Sequence, residues 1–495
     1  MEGRQEVVPP EASSVITRRI SVCEWLWVVG LIGIVLLINL ATGARFPAVW
    51  LDEVQHTDPA VNLLLGKGFT SSAWYLQNSE EFWAGSVPLH HGLLFLWMKL
   101  FGFNLLAVRS LNYLEVAAAI FLLWWTLRRM SIVTTPNGRL LFVLLALMGY
   151  GVSICTRGGR YDGITILLAA AATAAFSLHN PHRRLVVLLL CGVAFPFAGL
   201  QLAAFAVVFC ALLLLFTRFK WLRECFALGA GIGAGGVGLL AFYSANGVWS
   251  DFVATFHYSV HIVTGSLPKD PSFFLLLVPA LLAGLWQWQN GRLRLGSPLV
   301  FGLIASIWIP VLMKIIGRFP TYYSWMAYLP LAVGFATVGG EIFQSGSKVR
   351  RATLATLASL PCLVGLPMQL GSTFWFWQER DYRAIEALVE QHVRPTDWVY
   401  SDPEAYYAVK PRAAGVCLSS YEAVRPEENA RITVMILRPE HAEGTRLRLG
   451  GNWKRAAETG RAITRPYLWY DPARDDNKLI WDYNLEVWHR QPSAN

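Results

Sequence analysis

Runs of about twenty apolar residues, broken by short loops carrying arginine and lysine, recur between residues 24 and 371 and leave this chain few ways to fold. Inside hydrocarbon, backbone amides have only one another to bond, so runs of this length fold as helices. Among 495 residues, 54% are hydrophobic and only 15% charged, which excludes an ordinary soluble domain. The runs define about eleven spans, at roughly 24–42, 105–127, 139–156, 162–178, 185–199, 200–216, 226–243, 273–289, 297–316, 323–340 and 352–371. The expected fold class is a polytopic α-helical membrane protein of about eleven transmembrane helices. A small extracytoplasmic α/β domain is expected at its C-terminal end.

Basic residues fall in alternate short loops. Arg18 and Arg19 precede the first span; Arg128, Arg129 and Arg139 follow, then Arg183 and Arg184, Arg218 with Lys220 and Arg223, Arg292 with Arg294, and Lys348 with Arg350 and Arg351. The positive-inside rule puts these loops, and the tail 1–23, in the cytoplasm. The loops carrying Asp52, Asp162, His257 and Arg318 then face outward. The net charge of +9 is largely this topology signal, and no nucleic-acid partner is expected. The first span reads as an uncleaved signal anchor. The seven cysteines show neither a disulfide framework nor a zinc spacing.

The chain divides into the tail 1–23, a membrane domain 24–372 that includes the outward loop 43–104, and a soluble domain 373–495. Within the loop, Pro59 to Leu65 reads as a short helix, and the stretch from Pro88 to Phe101 as a helix lying along the interface. Asn246 to Ser272 reads as a further outward loop. In the soluble domain, Asp381 to His392 has helical spacing, while Trp398 to Tyr400, Ile432 to Leu437 and Leu485 to Trp488 read as strands.

The acids are the chemical signal. Asp52 and Glu53 directly follow the first span, where a carboxylate costs solvation energy. On the pair alone, a solvated loop start and a chemical role are equally open. Asp162 sits between two spans behind Arg157 and Arg160, and Arg318 precedes Pro320, Tyr322 and Tyr323. Acids and arginines converging on one membrane face suit a reaction that joins a neutral nucleophile to a group with an anionic leaving group. A carboxylate accepts the nucleophile's proton while guanidinium groups hold a phosphate. His90, His91 and His257 are candidates for an acceptor or substrate loop, with a divalent metal as an open alternative. Gly231, Gly233 and Gly236 match a dinucleotide fingerprint but lie inside an apolar span, where close helix packing is the expected role.

The order of these features resembles the GT-C glycosyltransferases, in particular the RgtA/B/C/D-like and protein O-mannosyltransferase/aminoarabinose transferase branch. The likeness rests on Trp50-Leu51-Asp52-Glu53 after the first span, Leu100-Phe101-Gly102 with Arg109, Arg160 to Asp162, and Arg318 to Tyr323, and covers roughly residues 20–340. It implies an inverting transferase taking a sugar from a polyprenyl-phosphate donor to a cell-envelope glycan or lipid acceptor, at the periplasmic face of the inner membrane. Asp52 would be the base, Glu53 its support and Asp162 a second acid; Arg157, Arg160, Arg318 and Tyr322 would serve the donor phosphate. Gly85-Ser86-Val87-Pro88 stands where the aminoarabinose transferases carry Glu-Lys-Pro, which puts transfer of their metal site in doubt. A flippase of lipid-linked sugars, or an O-antigen ligase or polymerase working through an outward residue such as His257, are the alternatives.

Overall fold

In a computed structural model, the described residues are 22–74, 77–262, 270–317, 319–419, 426–474 and 477–492, with backbone only at 258–262 and 345. The expected tail 1–23 lies almost wholly outside them, and so does Arg318.

Seven helices are long and apolar enough to cross a membrane: Val22–Thr42, Leu105–Arg129, Pro181–Ala198, Leu222–Ala245, Pro271–Gln289, Pro298–Ile315 and the segment Thr321–Gln344. Two further pairs meet that test together but bend, Pro136–Met148 with Tyr150–Arg157 by 53° and Lys348–Leu363 with Leu366–Trp375 by 52°. Asp162–Ala175 and Gln201–Phe216 are shorter apolar helices. Each expected span thus coincides with a helix or a bent pair, although length alone supports seven to nine crossings. The chain is a multi-pass membrane protein.

Helix packing explains the glycine motif differently from its spelling. A Cβ on Gly231 would lie 2.3 Å from the Leu189 carbonyl and one on Gly235 2.3 Å from that of Val193, so these two let helices Leu222–Ala245 and Pro181–Ala198 touch backbone to backbone. Gly233 and Gly236 face open space. The packing role expected of Gly231, Gly233 and Gly236 therefore falls to Gly231 with Gly235.

Two segments differ from expectation. The loop from Asn246 to Ser272 contains a helix, Trp249–Ile262. The C-terminal domain has five strands, β1 Trp398–Ser401, β2 Gly415–Leu418, β3 Ile432–Leu437, β4 Trp453–Glu458 and β5 Glu486–Arg490, of which β2 and β4 were not expected. They form one sheet in the order β2-β1-β3-β5-β4, with β1 parallel to β2 and β3, and β5 antiparallel to β3 and β4.

This sheet is not an appended lobe. Its buried face shares one hydrophobic core with the outward loop and its helices, so that Val434, Ile436 and Val487 belong with Val49, Val54, Val61, Leu94 and Val108. Buried polar ties reinforce the join: Lys410 Nζ donates to Asp58 Oδ1 at 2.6 Å, Tyr406 Oη to the same oxygen at 2.5 Å, and Arg45 Nη1 to the Trp377 carbonyl at 2.5 Å. The C-terminal domain thereby becomes a wall of whatever stands at the end of the first span.

Candidate active site

The chain leaves the first span at Thr42, turns through Phe46 and Pro47, and begins a five-residue helix, Leu51–Gln55, that carries both acids. Two spans further on, the helix Tyr150–Arg157 ends and Gly158 to Tyr161 form a tight link into Asp162–Ala175. Packing sets these two turns against each other.

Glu53 is the fastener. Arg109 grips its carboxylate with two parallel bonds, Nε to Oε1 and Nη2 to Oε2, each 2.6 Å, and neither side chain has any exposure. The same arginine donates through Nη1 to the carbonyls of Gly43 at 2.5 Å and Pro47 at 2.9 Å. Glu53 Oε1 also accepts from the Gly159 amide at 3.1 Å. Only glycine permits that approach, because a Cβ at 159 would lie 2.8 Å from Glu53 Oε1 and from Val108 Cγ1. Asn112 Nδ2 holds the Gly158 carbonyl at 2.6 Å from the other side.

With the turn pinned, Arg160 is delivered between two acids. Its Nη1 pairs with Asp52 and its Nε with Asp162 Oδ2 at 2.9 Å. Asp162, the first residue of its helix, suits the electropositive end there. The guanidinium of Arg160 lies 3.7 Å over the Tyr322 ring centroid. Arg160 is 2% exposed and Asp162 fully buried, but the Asp52 side chain is 31% exposed. Arg160 Nη2 and Asp162 Oδ1 have no hydrogen-bond partner among the described residues.

The remaining expected residues separate. Arg157 is buried against the end of the first span, donating to Asn39 Oδ1 and Thr42 Oγ1, each at 2.9 Å, and to the Phe46 carbonyl at 3.3 Å. It fixes the same turn that Arg109 fixes, from neutral oxygens. His90 and His91 lie on the expected helix Pro88–Phe101 but face inward, both buried, with His91 Nδ1 2.8 Å from the Val87 carbonyl and its ring 4.3 Å from Trp83. Burial pushes His91 down to about 3 and His90 well below the ordinary histidine value, so both rings are neutral. His257 is exposed on Trp249–Ile262. Among the described residues no three His, Cys, Asp or Glu side chains gather to hold a metal.

One cation at the site comes from the far end of the chain. Lys478, half-buried in a short 3₁₀ turn of the C-terminal domain, sets its ammonium 2.7 Å from the Trp50 ring centroid, beside Asp52 and Arg160. Burial pushes it down to about 7, with Asp52 opposing and Arg160 adding to the shift. Its turn is held by buried Arg380, which donates through Nε to the Trp481 carbonyl at 2.8 Å and through Nη2 to that of Lys478 at 3.1 Å. No sequence pattern distinguishes Lys478 from other lysines in the tail.

No protein-family model matches the chain, and no curated protein sequence is detectably similar to it. Among solved structures it is similar to ArnT, an aminoarabinose transferase, from Cupriavidus metallidurans bound to undecaprenyl phosphate, with a TM-score of 0.58 at 14% identity over 96% of this chain and 99% of that one. The apo form of the same protein matches with a TM-score of 0.56 at 15% identity, over 94% and 98% of the two chains. The chain has the fold of this aminoarabinose transferase.

Proposed function

We propose that this chain is an inverting glycosyltransferase that takes a sugar from a polyprenyl-phosphate donor and passes it to a hydroxyl of a cell-envelope glycan or lipid. It works at the periplasmic face of the inner membrane, with its N-terminus in the cytoplasm. The observation that carries this reading is the partly exposed Asp52 carboxylate, held at the end of a span beside two cations, in a chain with the fold of a protein solved with undecaprenyl phosphate.

In this reading Asp52 accepts the proton of the acceptor hydroxyl. The acceptor oxygen bonds to the sugar's anomeric carbon from the face opposite the phosphate. The bond from that carbon to the phosphate oxygen breaks, and the electron pair leaves with the polyprenyl phosphate. Arg160, through the nitrogen not engaged with the acids, and Lys478 hold the phosphate and its growing charge. Tyr322 supports Arg160 from below. Asp162 fixes the Arg160 fork, and Glu53 and Arg157 hold the two turns in register rather than touching substrate. Arg318, which lies outside the described residues, remains a candidate for the same phosphate from its place in the sequence.

The test uses purified full-length protein with a polyprenyl-phosphoryl pentose and a polyprenyl-phosphoryl hexose. Release of polyprenyl phosphate coupled to formation of an inverted glycosidic bond is expected with one of them. Movement of the fluorescent lipid-sugar across a liposome bilayer, with neither donor ever consumed, would establish a flippase instead.

A further inference from the structure

A groove of about 650 Å³ opens between the C-terminal sheet and the helix that carries Asp52. That volume is typical of a small-molecule site. Its position follows from the strand order. The chain steps from β1 to β2 on one side and then back to β3 on the other, so β1 and β3 flank a topological switch point. Loops leaving the carboxyl ends of two such strands diverge and leave a crevice in which open α/β sheets bind ligands. Asp402 and Glu404 follow β1, Arg438 follows β3, and both sets line the groove. Trp50, Leu51 and Trp481 also line it.

The polar atoms here define the ligand by what they lack. Arg438 is paired with Glu440 at 3.2 Å and Asp482 at 3.3 Å, and a carboxylate oxygen left without a partner beside it calls for a hydrogen-bond donor rather than an anion. Asp402 Oδ2 is spent on the Arg438 amide at 2.7 Å and on His441 Nδ1 at 2.9 Å. Asp402 Oδ1 and Glu404 Oε2 are left with no partner among the described residues, although both residues are more than nine-tenths buried. Burial, and then the adjacent Asp402 carboxylate, push Glu404 up to about 8. Two buried oxygens and two indole rings lining one groove match a ligand with hydroxyl donors on its edge and C–H groups on its face.

We propose that this groove is an acceptor subsite that holds a neutral saccharide, so that the acceptor is a glycan threaded from the C-terminal domain past Trp50 to Asp52. The proposal deepens the transferase reading and rests on it for the word acceptor; the saccharide site itself does not. Glu404 Oε2 and Asp402 Oδ1 accept from sugar hydroxyls, and Trp481 and Trp50 cover the sugar's apolar face.

Gly444 provides the test, since it lines the groove, is exposed, and has open space where a side chain would begin. Full-length protein in detergent is applied to an array of neutral cell-envelope oligosaccharides (mannan, galactan and arabinan fragments), as wild type, Gly444→Trp and Glu404→Gln. Thermal melting confirms that the variants are folded, and native mass spectrometry follows bound polyprenyl phosphate. Wild type is expected to bind at least one oligosaccharide, Gly444→Trp to lose at least tenfold in affinity and Glu404→Gln several-fold, with polyprenyl phosphate retained in all three. Equal binding by wild type and Gly444→Trp would overturn the proposal, and so would a wild type that binds no oligosaccharide on the array. Groove-dependent oligosaccharide binding without any polyprenyl phosphate binding would sustain this site while removing the transferase reading.

Discussion

Arg109 closes both oxygens of Glu53 at 2.6 Å with neither side chain exposed, whereas one residue earlier Arg160 holds Asp52 by a single nitrogen and leaves its carboxylate 31% exposed. Adjacent residues on one short helix thus present the same chemistry in two conditions. The sealed pair has no atom left for a substrate. The open pair has a carboxylate that an acceptor can reach and a guanidinium nitrogen with no partner among the described residues. The sealed pair also builds the open one, because Glu53 pins the Gly159 amide and so places Arg160. A third carboxylate–arginine pair, Glu24 with Arg139 at 2.6 Å, lies at the other end of the first span and, like Glu53, is sealed. Burial with full pairing marks the structural acids here, and partial exposure marks the reactive one.

The largest expected effect breaks the sealed pair. Arg109→Ala leaves Glu53 buried without its cation and should cost about 3–5 kcal/mol, read as a collapse of the melting temperature or of folded yield in detergent. A stable, active Arg109→Ala protein would show that Glu53 is not a fastener.

A smaller effect sharpens the open pair. Lys478 is protonated below about pH 7 and loses its charge above it, so in the wild type affinity for polyprenyl phosphate should fall as pH rises through 7. Lys478→Arg keeps its charge and should flatten that dependence, and Lys478→Met should bind about tenfold more weakly below pH 7 and match the wild type above it. Binding measured between pH 6 and pH 9 checks all three. An unchanged profile in Lys478→Met would remove Lys478 from the site.

How much of this was legible in the sequence depends on how far apart the partners lie. Asp52 stood out because an acid at a span end is costly, and Arg160 with Asp162 because three charged residues crowd a short link between spans. Only the family resemblance ranks Asp52 above Glu53 in the sequence, since their physical difference is Arg109, which lies far from both along the chain. Lys478 was invisible for the same reason: its role depends on a tail that folds back onto Trp50 through a shared core. In that tail β3, Ile432–Leu437, announced itself by an apolar run, but β2 is only four residues long and β4, Trp453–Glu458, is rich in good helix formers. The helix carrying His90 and His91 was legible, but their burial among aromatic rings was not, because those rings come from elsewhere in the chain.

The smallest effect concerns His257, exposed on the helix Trp249–Ile262. His257→Ala should change stability by no more than about 0.5 kcal/mol and leave transfer intact. Loss of transfer in that variant would favour the ligase or polymerase alternative.

The account rests on Asp52 being the base, and Asp52→Asn tests it most directly. Asparagine can still accept from Arg160, so the turn should hold and the melting temperature should stay close to that of the wild type. With a polyprenyl-phosphoryl sugar and its acceptor at saturation, kcat should fall by about a hundred- to ten-thousandfold while polyprenyl phosphate remains bound. A folded Asp52→Asn protein that transfers sugar at the wild-type rate would contradict the account.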